Sequence, residues 1–335
     1  MPSEEDLALI NALQIAPRAH WTDLADVLEV HPTSLAARWE RLRATGTAWV
    51  TGHLVGDPQA MSLSFLEVDC DMRQRETVSA ALTRLPNIAT VEHSAGDRTL
   101  LLTVITESFQ TFSDVVIEQI TALPGVMGYR SALCTRLHHG GWAWRLGVLN
   151  ATQRAQIQRL ATVIGPTQPV PDSHRALLPH LAVNGRATAA EIARAVGRSP
   201  ATVQRQLNRV IAANVLSFRC EIAQRYSGFP VSCQWFVRVP ADAHDQAARA
   251  IGELPQVRLA ASTTGEANMI IVMWLRSVAE VMDVEVTLTR RIPGIELLRN
   301  SIILRATKRV GWLLNPDTTG KGPAEHPLEV TDLAH

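Results

Sequence analysis

The sequence holds little that could cross-link it, span a membrane or draw polyanions to the chain as a whole. Its 335 residues include only four cysteines, Cys70, Cys134, Cys220 and Cys233. None forms a CxxC pair and none has a histidine at zinc-ligand spacing. Neither a disulfide framework nor a metal site is therefore expected, and the thiols read as buried and reduced. No apolar run approaches the ~18–20 residues a bilayer span requires. The first ten residues, MPSEEDLALI, are acidic and lack the basic-then-apolar order of a signal peptide. Together these give the expectation of a cytoplasmic protein that does not bind membranes. Net charge is +0, so no overall basic excess points to nucleic acid, and any such case rests on local charge placement. Lysine is nearly missing: Lys308 and Lys321 are the two among 32 basic residues. Arginine suits phosphate and guanine recognition, but genome base composition produces the same bias, so this carries no weight.

What the sequence does have is itself, twice. Leu85-Pro86 recurs as Leu254-Pro255, Gly96-Asp97 as Gly265-Glu266, and Pro124-Gly125-Val126 as Pro293-Gly294-Ile295, each 169 residues on. Upstream, Leu24-Ala25 matches Ile192-Ala193 and Pro32 matches Pro200 at 168. Gly141-Trp142 matches Gly311-Trp312 at 170. One offset held over more than a hundred residues is a duplicated unit, far too long for a solenoid repeat. Between the copies, 146–171 reads as a polar helix followed by a proline-rich extended linker. The tail, 315–335, is expected to be disordered.

Each copy opens with helical punctuation. In the second, 172–183 reads as one short helix blemished by Pro179, with Ala176, Leu177, Leu181 and Val183 near one face. Asn184-Gly185 stops it. Thr188-Ala-Ala-Glu191 is a capping box, since hydroxyl and carboxylate satisfy orphan amides at a helix start. Gly197 ends that helix; Ser199-Pro200 supplies an N-cap and an N1 proline for the next, which Asn214 can close in the left-handed conformation. Helix, glycine turn and second helix form the helix-turn-helix, whose second helix faces base edges in the major groove. Its candidate DNA-reading residues are Ser199, Ala201, Thr202, Gln204, Arg205, Gln206 and Arg209. Four arginines and no acid lie between Arg194 and Arg209. Arginine binds guanine bidentately or clamps phosphate; a merely solvated basic face is the alternative. The first copy follows less cleanly. His20 and His31 stand where the caps Thr188 and Ser199 do, and Glu29 replaces Gly197. Its candidates are Thr33, Ser34, Ala37, Arg38 and Arg41, and it serves either as a second reader or as a packing partner.

A strand-helix-strand-strand-helix-strand pattern follows in each copy. In the first it covers 63–68, 73–85, 88–93, 100–105, 109–123 and 126–137; in the second, 235–239, 247–254, 257–262, 269–275, 278–291 and 295–304. This βαββαβ order is the ferredoxin-like sheet with two helices on one face. The uncovered sheet face must pair, either between the two copies or with another chain. The expected fold is α+β: two winged helix-turn-helix domains (1–55 and 172–225) alternating with two ferredoxin-like domains (59–145 and 230–314).

With both domains placed, the order resembles the Lrp/AsnC, or feast/famine, family of transcription regulators, in a tandem two-unit form. The residues that carry it are Asp172, Arg186, Glu191-Ile192-Ala193, Ser199-Pro200 and Arg209, then Leu254-Pro255, Gly265-Glu266 and Pro293-Gly294. The first half matches through Asp6, Arg18, Asp23-Leu24-Ala25, Pro32, Arg41, Gly96-Asp97 and Pro124-Gly125. The resemblance implies binding to double-stranded DNA, homo-oligomers assembled through the sensing (RAM-type) domains, and an amino-acid or related effector near the glycine loop. Those loops are Gly96-Asp97-Arg98-Thr99 and Gly265-Glu266-Ala267-Asn268. The family often has aspartate at the fourth place, suited to an effector's ammonium group, where this chain has Thr99 and Asn268. The effector is therefore left open, with a plain turn as the alternative.

The rival is an enzyme. Some relatives of this architecture resemble sirohaem decarboxylases, with a Tyr-Asn pair after the second strand. Here the stretches are HSAGDRTLLL and STTGEANMII, without that pair, and His93 alone does not restore it. His138 and His139 point to opposite faces of a strand, so one ion would not bind both. No catalytic residue, metal or cofactor is expected, and the chain is read as not an enzyme.

Overall fold

The computed structural model describes residues 1–54, 62–96, 99–161 and 167–324. The first helix-turn-helix is α1 (Glu4–Ile15), α2 (Trp21–Leu28) and α3 (Pro32–Ala44), followed by the wing strand β1 (Ala48–Leu54). The first sensing domain runs β2 (Ser62–Cys70), α4 (Arg75–Arg84), β3 (Ile88–Ser94) and β4 (Leu100–Thr106). It continues through α5 (Phe109–Thr111), a π turn (Phe112–Val116) and α6 (Ile117–Thr121) into β5 (Val126–His139). After α7 (Ala151–Leu160) come α8 (Asp172–Arg175), α9 (Leu178–Val183), α10 (Ala189–Val196), α11 (Pro200–Ala212) and the second wing β6 (Leu216–Ile222). The second sensing domain is β7 (Val231–Arg238), α12 (His244–Gly252), β8 (Val257–Thr263), β9 (Met269–Leu275), α13 (Glu280–Arg291) and β10 (Glu296–Arg309). Two short strands, β11 (Trp312–Leu314) and β12 (Gly320–Pro323), close the described chain.

The domains alternate along the chain but sort by kind in space. One compact unit gathers both helix-turn-helix domains with α7, and the other gathers both sensing domains. In the first unit the local punctuation works as the residue types dictate. Thr188 and Glu191 close a reciprocal box, Ser199 accepts from the Thr202 amide, and Gly197 takes φ 66. Asn214 is left-handed at φ 53. In the first copy His20 makes no cap bond, while His31 Nδ1 accepts weakly from the Thr33 amide at 3.4 Å. Glu29 is forced to φ 55 where the second copy has glycine, a strained place for a residue with a Cβ. Pro179 does not blemish a single helix: the chain breaks at Ala176-Leu177 and Pro179 sits in the first turn of α9, where its missing N–H costs nothing. Leu177, Leu178 and Leu181 are buried there, while Ala176, expected inward, is exposed.

The two wings pair with each other. β1 and β6 form an antiparallel ladder from Ala48↔Ile222 to Leu54↔Leu216. Beside it, Arg186 donates from Nη1 to the Pro17 carbonyl at 2.6 Å and from Nη2 to the Ala19 carbonyl at 2.9 Å. Its guanidinium lies 3.8 Å above the Trp21 ring. Arg18, its counterpart 168 residues earlier, donates to the Gly185 carbonyl and covers Phe218 at 5.1 Å. Burial pulls both guanidinium pKa values down to about 10, still charged at neutral pH. α7 is held on the first copy, just after a segment whose amides at Val148 and Leu149 donate to Asn11 Oδ1.

On β1, His53 bonds Thr51 Oγ1 at 2.7 Å. Burial pushes its pKa down to about 4; Arg219 adds to the fall and Glu221 opposes it. The ring stays uncharged in the folded unit down to about pH 4, but takes a proton near the usual histidine value once unfolded. Its contribution is complete above pH ~6.5 and is lost as pH falls from there toward 4. The ring keeps some solvent contact, so the expected loss is about 2 kcal/mol rather than the full linkage value. Urea titrations at pH 7 and pH 4.5 measure it, and His53→Gln, which cannot titrate, should remove that part of the pH dependence.

In the second unit each copy contributes four consecutive strands, β3-β4-β2-β5 and β8-β9-β7-β10, the ferredoxin-like order. β5 pairs with β8, and β10 pairs with β3 as well as with β7, so these eight strands close into a ring. Whether the sheets pair within the chain or with another was open in the sequence; they pair within it. The two seams share one register. Arg136↔Ser262 and Leu137↔Ala261 in one are Arg305↔His93 and Ala306↔Glu92 in the other, swapped between copies at 169. Each seam carries the same ion pair, Arg136–Asp245 at 2.7 Å and Arg305–Glu76 at 3.2 Å.

Apolar side chains fill both sides of the sheet. Val68, Leu82, Leu102 and Ile120 pack under the helices of the first copy; Trp235, Ile251, Ile271 and Leu288 do so in the second. Phe65, Leu101, Phe236 and Ile270 meet inside the ring. The tail expected to be disordered is not so throughout. Trp312 to Leu314 pairs with β12, and Arg309↔Trp312 joins the hairpin to the ring, so the second sensing domain runs past 314 to the end of the described chain. Residues 325–335 and 162–166, the end of the expected polar helix and the first two residues of the proline-rich linker, lie outside the described residues.

Candidate functional site

The candidate reading helix of the second copy, α11, is built by its own cap and its apolar stripe. Val203, Leu207 and Val210 are buried, which turns Ala201, Gln204, Arg205 and Arg209 outward. Thr202 is half-buried against the cap, its Oγ1 2.9 Å from Ser199 Oγ. Gln204 donates to Asn208 one turn on at 2.9 Å. Gln206 points back: it accepts from Arg198 at 3.1 Å and its amide reaches the Ser173 carbonyl. Arg205 and Arg209 have no bonded or ion-paired partner among the described residues. This helix therefore presents two uncommitted guanidinium groups and no acid.

The first copy is otherwise disposed. Thr33, Ser34 and Ala37 are exposed on α3. Arg38 binds Ser3 Oγ at 3.2 Å and Asp6 Oδ1 at 3.1 Å, and pairs with Glu5. Arg41 reaches the same Asp6 oxygen at 2.6 Å, and Arg43 pairs with Glu40 at 2.7 Å. Asp6 is buried, which alone would raise its pKa. The Ser3 amide, Arg38 and Arg41 outweigh that and hold it below the ordinary range. Sequence reasoning named Asp6, Arg38 and Arg41 without seeing that they bind one another; an acid 32 residues from a base gives no local signal.

The two glycine loops differ in surroundings. Beside the first is a cavity of about 600 Å³, within the size range of small-molecule sites. It is lined by Asp69, Cys70, Asp71, Met72, Arg75, Ser94, Ala95, Gly96, Thr99, Met127 and Leu304. Gly96 packs closely there: a Cβ would lie 2.9 Å from Ser301 Oγ, which would have to shift. Asp97 and Arg98 lie outside the described residues. Thr99 Oγ1 donates to Asp69 Oδ1 at 3.3 Å and lies 3.4 Å from the Cys70 amide nitrogen. In the second loop Asn268 does the same for the equivalent strand end, bonding both N–H and C=O of Val239 at 2.8 Å. Gly265 turns at φ 105, and Glu266 is exposed. The fourth place of each loop thus ties down a strand. A carboxylate does face the first loop, but from β2, as Asp69. The loop motif alone could not disclose it.

Two histidine clusters were missed. His93, at the end of β3, is buried, with Nε2 2.9 Å from Ser79 Oγ. His138 Nε2 and His244 Nδ1 both meet Ser262 Oγ, at 2.7 and 2.6 Å. Among the described residues no group of three or more His, Cys, Asp or Glu could hold a metal ion, and no helix is long and apolar enough to cross a membrane.

The Lrp/AsnC ligand binding domain matches residues 63–138 and 233–313, and the AsnC-type helix-turn-helix domain matches 4–43 and 174–209. No curated protein matches the chain. Among solved structures, the siroheme decarboxylase NirDL is 14% identical with a TM-score of 0.59, covering 92% of this chain and 93% of that one. The same enzyme in co-complex with an iron-uroporphyrin III analogue gives 0.60 at 14% identity and the same coverage. AsnC of E. coli is 23% identical over 41% of this chain and 94% of its own, with a TM-score of 0.36. The NirDL likeness overturns one expectation. An enzyme has this tandem architecture from end to end, so the reading of the chain as not an enzyme is withdrawn.

Proposed function

Because the chain belongs to the Lrp/AsnC family, carrying both of its domains twice, we propose that it is a DNA-binding transcription regulator whose contact with the duplex runs through α11. The observation that supports this most is the pair of exposed, uncommitted arginines, Arg205 and Arg209, on a well-capped helix without an acid. Phosphate contacts release counterions, so log K should fall linearly with log salt, by about 0.9 for each phosphate neutralised. Fluorescence anisotropy of the full chain with its own promoter duplex, from 50 to 300 mM salt, measures that slope. Binding that ignores salt would sink the reading.

An effector site is proposed in the cavity beside Gly96. Asp69 and Asp71 offer carboxylates, Arg75 a guanidinium, and Met72, Met127 and Leu304 an apolar wall. That set suits a small zwitterion with an apolar side chain, an amino acid or close relative, with Asp69 standing in for the acid the loop lacks. A bound effector at 100 times its Kd should stabilise the fold by about 2.7 kcal/mol. A thermal-shift screen of the natural amino acids reads this, and Asp69→Asn should abolish the shift, measured against the variant's own unliganded midpoint.

A second reading, an enzyme acting on a tetrapyrrole, rests on the architecture shared with NirDL over 92% of the chain. Mixing the protein with an iron tetrapyrrole separates the two: a perturbed Soret band and released carbon dioxide would favour the enzyme.

A further inference from the structure

We propose that the chain reads a single, non-palindromic DNA site, because the reading helix of its first copy is locked by its own acids. This rests on the DNA-binding reading above. A symmetric pair of helix-turn-helix domains favours inverted repeats, since each half-site meets the same helix. Here the wings hold the two domains in one unit through β1 and β6, yet the helices they carry are chemically opposite.

On α3 every arginine is engaged with a carboxylate. Arg38 is bound by Asp6 and Glu5, Arg41 by Asp6, and Arg43 by Glu40. Only 18% of the Arg38 side chain is exposed, so leaving its partners for a phosphate would strip a carboxylate that is itself only 7% exposed. A buried charge left alone costs more than a surface contact returns. The lock has no counterpart in the second copy: 168 residues on, Asp6 becomes His174, Arg38 becomes Gln206 and Ala37 becomes Arg205, and the nearby acid Asp172 pairs with Arg175 at 3.2 Å rather than with α11. Gln206 is held by Arg198, and Arg205 and Arg209 stay uncommitted among the described residues. α11 therefore supplies sequence reading, while α3 offers the duplex a surface whose charges are already balanced.

Selection of a random 24-base-pair duplex library on the full-length protein tests this. The expected product is one half-site with no inverted partner. Asp6→Asn, which keeps the shape but weakens the hold on Arg38 and Arg41, should tighten binding about 3- to 10-fold. Arg41→Ala, at a side chain 59% exposed, should change affinity less than about 3-fold, in a protein whose melting curve confirms that it folds. An inverted repeat emerging from the selection, or Arg41→Ala weakening binding as much as Arg209→Ala does, overturns the asymmetry and leaves DNA binding standing. Failure of any sequence to enrich, together with salt-independent anisotropy, removes DNA binding itself and the asymmetry with it.

Discussion

Replacing Arg205 and Arg209 together with alanine is expected to weaken specific DNA binding by about 3–5 kcal/mol, roughly a hundredfold to several thousandfold. The magnitude follows from what each guanidinium can do. A bidentate contact to guanine discriminates by about 1–3 kcal/mol, and each phosphate clamp adds an electrostatic increment that disappears with salt. Both side chains are exposed and make no bonds among the described residues, so their removal should cost the fold little. Surface substitutions of this kind usually stay within about 0.5 kcal/mol in stability. Anisotropy titrations of wild type and the double variant at one salt concentration give the affinity, and a urea melt confirms the fold. If the double variant binds its selected duplex as wild type does, α11 is not the reading helix. The same pair tested singly sorts the roles. The arginine facing a base should relax specificity at one position, whereas the one facing phosphate should lower affinity across all sequences and reduce the salt slope by about one.

Arg186→Ala should lower the stability of the paired helix-turn-helix unit by about 4–7 kcal/mol. Its guanidinium satisfies the Pro17 and Ala19 carbonyls and lies 3.8 Å from the centre of the Trp21 ring. Hydrogen bonds from a charged donor are worth about 1.5–3 kcal/mol each, and the stacking adds about 1 kcal/mol. Nothing else in the described structure is bonded to those two carbonyls by a side chain. Arg186→Lys should not rescue the loss, because an ammonium cannot serve two carbonyls in a fixed fork while covering a ring. Arg18→Ala, at the counterpart position with one carbonyl partner among the described residues and a more distant ring, should cost about half as much. Denaturant melts followed by tryptophan fluorescence report directly, since Trp21 lies beneath the guanidinium. Equal midpoints for wild type and Arg186→Ala would mean that the wing ladder alone holds the domains together.

The parts of this fold that were legible in the sequence are those decided by neighbours in the chain. Thr188-Ala-Ala-Glu191, Ser199-Pro200, Gly197 and Asn214 each act within four residues of themselves, and each sits in the structure as its chemistry requires. The offset of 169 is also local bookkeeping, and it returns as the common register of two strand seams 169 residues apart. Long-range choices were not legible. Nothing in Arg136 or Arg305 announces that each will bridge to an acid on the other copy. Asp6 read as a family landmark rather than as the counter-ion of a reading helix. Asp69 was invisible as a neighbour of the first loop because that loop is thirty positions away, and only the antiparallel pairing of β2 with β4 brings it there. The tail misled for a different reason. Its Pro, Gly and Asp content predicts turns, and turns are what a tight hairpin such as β11 and β12 needs.

The closed ring of eight strands has a kinetic meaning as well as a geometric one. Two separate chains that paired along these seams would meet at a rate set by their abundance, and would part whenever dilution favoured it. Joined in one polypeptide, the halves see each other at an effective concentration in the millimolar range whatever the number of molecules present. The assembled form is then as complete in a cell holding ten copies as in one holding ten thousand. It also lets each half accept substitutions without its partner inheriting them.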